Sequence, residues 1–264
     1  MPTFKPLTIR IVFFLLSLSL GGHVILAQPA APVWQPAPGT SWQWQLSGEL
    51  DSSVEADMYD LDLFDTPPAT IAALQAKGVV VVCYFSAGSF EAWRPDAAAF
   101  PAAVKDKKMA GWDEHWLDVR RLDVLAPVMS ARLDLAAAKG CDGVEPDNVD
   151  GYLNDTGKPL SYADQLVYNR FIADVAHARG LSVGLKNDLE QIPDLEPSFD
   201  WALNEQCFEF EECDALLPFV RAGKAVFGVE YGLKPEHFCP QANANNFDWL
   251  KKRLELDAYR QACC

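Results

Sequence analysis

The segment GVEPDNVDGY, residues 143–152, places Glu145, Asp147 and Asp150 beside Asn148 with no Lys or Arg among them. Carboxylates crowded in this way suit glycoside hydrolysis, in which one acid is protonated and a second is ionised. They also suit cation binding. A solvated acidic turn is the bland alternative, but the apolar residues on either side argue against it. Pro146 cannot donate to a sheet ladder, so a short strand over 143–145 is expected to end there and leave the acids in the following turn.

Other chemistries lack their residues. The four histidines, His23, His115, His177 and His237, are scattered, and none is placed as the base of a triad with Ser86. No GxSxG elbow, P-loop or dinucleotide fingerprint occurs. The dispersed Cys and scarce His do not fit a zinc site, and no cofactor is expected. A carboxylate-bound Mg²⁺ or Ca²⁺ on DLDLFD and EPDNVD is one competing reading. A saccharide-binding barrel without turnover is the other.

Strands are expected over 42–46, 58–63, 79–85, 115–118, 143–145, 182–186, 201–204 and 225–229. Helices are expected over 69–77, 122–139 and 162–179, with a shorter candidate over 96–104. Gly140 and Gly180 stand where helices commonly end. This alternation predicts a parallel sheet, and eight strands predict a single-domain (β/α)₈ TIM barrel over 41–264. Active sites in that fold gather at the C-terminal ends of the strands. Residues at those ends are Asp60 and Asp62; Tyr84 and Ser86; Asp118; Glu145, Asp147, Asn148 and Asp150; Lys186, Asn187 and Asp188; Glu205; and Glu230 with Tyr231. Asp147 and Glu205 are the best-placed pair, although position does not choose Asp147 over Glu145 or Asp150. Glu205 taken alone reads as an ordinary surface glutamate. Eight Trp and seven Tyr suit a sugar cleft, though most large aromatics serve the core.

The N-terminus carries Lys5 and Arg10 before an apolar run and a small-residue site at Ala27. This pattern predicts a signal peptide over 1–27, hence export to the periplasm or the extracellular space. A Pro/Ala-rich linker is expected over 28–40. No later run is long enough for a membrane span, so no stable membrane insertion is expected, and a monomer is. The net charge is −15, which disfavours nucleic acid and favours cationic partners. Removing residues 1–27 takes away two cations and no acid, giving −17. Of the seven Cys, Cys207 and Cys213 are expected to staple one loop. Cys239 is expected to reach Cys263 or Cys264, and Cys83 to be a buried hydrophobe.

The chain closely resembles the endo-α-1,4-polygalactosaminidase family, glycoside hydrolase family 114. The matching stretches are WQWQLSG, YDLDLFDTP, VVCYFSAGSFEAWRPD, HWLDVR, GCDGVEPDNVDGY, GLSVGLKND, DWALNEQCFEFEEC and KAVFGVEY, which span residues 42–231. The resemblance implies a TIM barrel, hydrolysis of α-1,4-linked galactosamine polymers and a catalytic pair at Asp147 and Glu205. Deacetylated galactosamine is cationic, so Asp62, Glu145, Asp150 and Asp188 are candidate amine partners. Tyr84, Ser86, Asp118, Asn148, Lys186, Asn187, Glu230 and Tyr231 complete the expected substrate contacts.

Overall fold

A computed structural model describes residues 1–3 and 33–263. The predicted signal beyond residue 3, residues 28–32 of the linker and Cys264 lie outside the described residues. Later residues of the Pro/Ala-rich segment are tied to the body. Pro36 accepts a backbone bond from Ala225 at 2.8 Å, and Gly39 donates to Asp248 at 3.0 Å.

A nine-stranded sheet organises the chain. Its strands are β1 (Trp42–Gln45), β2 (Met58–Asp62), β3 (Val80–Ser86), β7 (Gly143–Asp147), β8 (Ser182–Lys186), β9 (Trp201–Glu205), β10 (Val226–Glu230), β11 (Asp248–Lys251) and β12 (Gln261–Ala262), paired in that order. All neighbours run parallel except β11 and β12. The Val-rich β3 is buried over most of its length, as expected of a central parallel strand covered on both faces. The sheet curls, and among the described residues no strand ladder joins its edges. The Trp42 indole donates to Asp248 O at 2.8 Å, and Leu46 N donates to Leu256 O at 2.9 Å across the gap. The described architecture is therefore a curled, largely parallel sheet with helices around it.

Between β3 and β7 a separate antiparallel sheet contains β4 (Ser89–Glu91), β5 (Lys105–Lys108) and β6 (Glu114–Leu117). The expected fourth parallel strand over 115–118 falls here instead. It cannot enter the main sheet because β3 and β7 pair directly, Val82 opposite Gly143 through Ser86 opposite Asp147. The eighth parallel strand is β11, whose four residues DWLK carry a charge at each end and gave no clear apolar signal. The expected helix over 96–104 is two short 3₁₀ turns, Ala97–Ala99 and Ala102–Val104, separated at Pro101, which disfavours a helical Phe100 before it.

The longer helices are α1 (Pro68–Gln75), α2 (Leu122–Lys139) and α3 (Tyr162–His177). Helix α2 ends on Gly140 at φ +88°, whose N–H reaches Ala136 O and Ala137 O. Helix α3 starts with a reciprocal Ser161–Asp164 box that satisfies exposed N–H groups. Two short helices, α4 (Ile192–Leu195) and α5 (Leu217–Arg221), and the ten-residue α6 (Pro235–Ala244) follow. Among the described residues, no helix is long and apolar enough to cross a membrane.

Among the described residues, three disulfides staple the fold. Cys207–Cys213 and Cys239–Cys263 form as the spacing suggested. Cys83 is a correction. It is fully buried, yet it bonds Cys141, which lies just past the end of α2 with its Cα 6.0 Å away. The β-rich context of Cys83 concealed a partner supplied by a returning helix.

Candidate active site

Strand alternation decides which side chains face the interior of the curl. Trp42, Met58, Val82, Trp201 and Phe227 fill its lower part as one apolar cluster. Stepping by two along each strand reaches Trp44, Asp60, Asp62, Tyr84, Ser86, Glu145, Asp147, Lys186, Glu205 and Tyr231. The apolar floor thus gives way to a polar upper tier at the C-terminal ends of the strands.

Lys186 is the centre of that tier. Its Nζ lies 2.8 Å from Glu145 Oε1, 3.1 Å from Asp147 Oδ1 and 3.4 Å from Glu205 Oε2. Trp44 presents its ring face 4.6 Å from the same nitrogen. Burial disfavours the ammonium, but Asp147, Glu145 and Glu205 more than offset it, and the Lys186 pKa is raised.

Asp147 and Glu205 have matching supports. Tyr84 Oη donates to Asp147 Oδ2 at 3.0 Å, and Tyr231 Oη donates to Glu205 Oε1 at 2.5 Å. Burial and the neighbouring carboxylates raise both tyrosine pKa values, so both hydroxyls remain donors at neutral pH. Asn187 completes the Glu205 cradle. Its Nδ2 donates to Oε2 at 3.2 Å while its Oδ1 accepts from Glu205 N at 2.9 Å.

The turns that present these groups are left-handed. Asn148, Asn187 and Gln206 follow Asp147, Lys186 and Glu205 with φ of 60°, 50° and 66°. Such conformations are uncommon outside Gly and persist where surrounding contacts hold them, often at functional sites. Asn148 is held by donating to Ser86 Oγ at 2.9 Å. Gly88 packs against its backbone so closely that a Cβ there would lie 1.7 Å from Asn148 O.

Above the tier lies a cleft of about 520 Å³ lined by Asp62, Tyr84, Asp147, Asn148, Asp150, Lys186, Asn187, Glu205 and Tyr231. Other expected contacts lie elsewhere. Ser86 and Glu145 are fully buried behind the lining, where Ser86 holds Asn148 and Glu145 holds Lys186. Asp118 follows the inserted strand β6 and is held by Arg120 at 2.7 Å and Lys158 at 3.3 Å, away from the cleft. Glu230 has the opposite strand parity to Tyr231, so it faces outward and accepts from Phe208 N at 3.0 Å. Asp62 lines the cleft, but Arg94 engages both its oxygens at 3.0 and 2.7 Å, which leaves it little capacity for an amine. Asp188 does not line this cleft; it is buried at the edge of a neighbouring hollow and bonded by Asn169 at 2.8 Å. Burial and Asp150 push its pKa up to about 9. Asp150 is pushed up to about 6 by burial and by Asp147.

The sequence reading missed the wall supplied by the insertion: Trp93, Arg94, Trp112, Glu114 and Trp116. Trp93 and Trp112 are 55% and 51% exposed, and their signal was tryptophan inside polar, turn-rich sequence. Trp112 also borders a second hollow of about 440 Å³, which shares Asp150, Glu205 and Tyr231 with the first and adds Phe210, Glu190 and Glu212.

Two inward carboxylates on adjacent hydrogen-bonding frameworks, in a cleft edged with tryptophan, make an arrangement suited to glycosidic bond cleavage. The family model for glycoside-hydrolase family GH114 matches residues 24–264. The chain belongs to family GH114. As a GH114 member it is a glycoside hydrolase. It is similar to Ega3 of Aspergillus fumigatus, solved in complex with galactosamine, at 41% identity and a TM-score of 0.84, covering 88% of this chain and 98% of that one. The glycoside hydrolase domain of PelA from Pseudomonas aeruginosa matches at 15% identity and a TM-score of 0.67, covering 84% and 98%, which shows a shared fold. No curated protein matches the chain.

Proposed function

We propose that this GH114 member is an exported hydrolase of α-1,4-linked galactosamine polymers, with Asp147 as nucleophile and Glu205 as general acid. The observation that carries the pairing is the single Lys186 ammonium held between both carboxylates. Its nitrogen lies 3.1 Å from Asp147 and 3.4 Å from Glu205, within ion-pair reach of both. In this reading Asp147 attacks the anomeric carbon while Glu205 gives its proton to the departing oxygen. Water then hydrolyses the glycosyl-enzyme, with Glu205 taking a proton back.

The two Lys186 distances sum to 6.5 Å, the greatest possible separation of Asp147 Oδ1 and Glu205 Oε2. Retaining glycosidases hold their carboxyls ~5–5.5 Å apart and inverting ones ~6.5–9.5 Å, so the geometry favours retention. The resemblance to Ega3, solved with galactosamine, supports the sugar. The net charge of −15 and the acids Asp150, Glu190 and Glu212 along the two hollows support a cationic polymer. We read the curled sheet as a (β/α)₈ barrel whose seam lies between β1 and β11, and export from residues 1–27.

The test is to incubate the protein with partly deacetylated galactosaminan and with chitosan, then read product masses and anomeric configuration. Cleavage of the first alone, with retained configuration, is expected. Cleavage of chitosan alone, or of neither polymer, overturns the substrate reading.

A further inference from the structure

Beneath Lys186 lies a carboxyl that the hydrolytic chemistry does not use. Asp60, from β2, is 0% exposed, as is Glu145 from β7. Neither Asp60 oxygen receives a donor from an amine, amide or hydroxyl group, and neither does Glu145 Oε2. The two carboxyls meet each other. Two buried carboxylates cannot face one another without a proton between them: Glu145 has the Lys186 ammonium on Oε1, whereas Asp60 would be an uncompensated anion lacking any donor. One shared proton removes the repulsion and supplies the missing hydrogen bond.

We propose that Asp60 is a positioning residue: as a neutral acid it donates its O–H to Glu145, and the Glu145 anion thereby fixes Lys186 between Asp147 and Glu205. Burial and the charge of Glu145 both keep the proton on Asp60. The groups facing this pair are Trp44 from β1, Tyr84 from β3, Asp147 beside Glu145 on β7, Lys186 from β8, Glu205 from β9 and Tyr231 after β10. Lys186 is the cation bonded among them, and its ammonium has three N–H bonds to distribute. Glu145 takes the shortest contact, at 2.8 Å. An ionised Glu145 therefore decides how much of the ammonium remains for the two catalytic carboxylates.

This inference rests on Asp147 and Glu205 being the catalytic pair, but its test separates the two. Asp60→Leu removes the O–H donor, so Glu145 takes the proton and Lys186 retains two anionic partners. The pH–rate profile is then expected to move down by about one pH unit, the low end of what an opposite charge does to a nearby carboxyl. Asp60→Asn restores an N–H donor to Glu145 and should return the profile to its original place. Glu145→Gln, a near-isostere, should move it down as Asp60→Leu does, and carries the kinetic test if Asp60→Leu fails to fold. An unmoved profile in Glu145→Gln, or an equal shift in Asp60→Leu and Asp60→Asn, overturns the proposal. Infrared spectroscopy gives a readout independent of the sugar. Other buried acids such as Asp188 also absorb as protonated carboxyls, so the readout is the wild-type minus Asp60→Asn difference spectrum at neutral pH, which should hold one protonated-carboxyl band. A difference spectrum without it overturns the shared proton even if every polymer tested is inert.

Discussion

The Tyr231 hydroxyl donates to Glu205 Oε1 at 2.5 Å. One residue past the end of β10 thus holds a carboxylate at the end of the neighbouring β9. Tyr231→Phe removes this donor and little else. A hydrogen bond to a charged group contributes about 1.5–3 kcal/mol, so kcat/KM should fall about 10- to 100-fold. Steady-state kinetics on the galactosamine polymer checks this, and unaltered kinetics would mean that the bond serves packing alone.

Asp147→Asn and Glu205→Gln should each reduce cleavage by about 10²-fold or more, the scale of a lost acid–base group. Neither should lower Tm. Each change keeps the side-chain shape and leaves the buried Lys186 two carboxyl partners, so the fold is retained while the reacting group is lost. Thermal unfolding alongside activity separates this outcome from simple misfolding.

Gly88→Ala tests the turn that carries Asp147. The added Cβ would lie 1.7 Å from Asn148 O, so the Asn148 turn must shift. Overpacking of this kind costs about 1–3 kcal/mol. Activity should suffer more than stability, because the displaced residue adjoins Asp147. Retained kcat with a lowered Tm would contradict that link.

Loss of the Cys83–Cys141 bond frees a 58-residue separation between β3 and the end of α2. The paired Cys83→Ala, Cys141→Ala variant should lose about 2–4 kcal/mol. For a chain of this size that lowers Tm by roughly 4–16 °C. Cleavage well below Tm should persist, since neither sulfur is among the residues lining the cleft.

Stability should also depend on pH through buried acids. Burial pushes Glu91 and Glu230 up to about 7 and Asp188 to about 9, against about 4 for unfolded carboxyls. The native state therefore binds more protons than the unfolded state above about pH 4, and stability falls as pH rises through the folded values. Lys252, pushed down to about 8 by burial, acts between about pH 8 and its unfolded value near 10.4. Hydrogen-bonded carboxylates with lowered pKa values, such as Asp164 and the buried Asp118, act below about pH 4. Calorimetry should give a higher Tm at pH 5 than at pH 8, and the reverse order would contradict the protonated acids.

Much of the site was present in local sequence. Asp147, Lys186 and Glu205 each end an apolar strand and precede a left-handed Asn or Gln, so motif and alternation placed them on one face. Alternation also separates Tyr231, which faces in, from Glu230, which faces out. The sequence reading had left both as contacts because it did not follow strand parity past the strand end.

Other features depended on tertiary structure, because they arise between segments distant in the chain. Which apolar run joins the sheet was decided by β3 pairing directly with β7, which sent 115–118 into the insertion and left the last parallel place to β11. The partner of Cys83 was decided by where α2 returns. Asp118 and Asp62 looked like site acids until Arg120, Lys158 and Arg94 were seen to occupy them. The sequence by itself determined that carboxylates gather at strand ends. Packing determined which of them meet one lysine, because proximity in space and the donors each oxygen receives are properties of the folded chain.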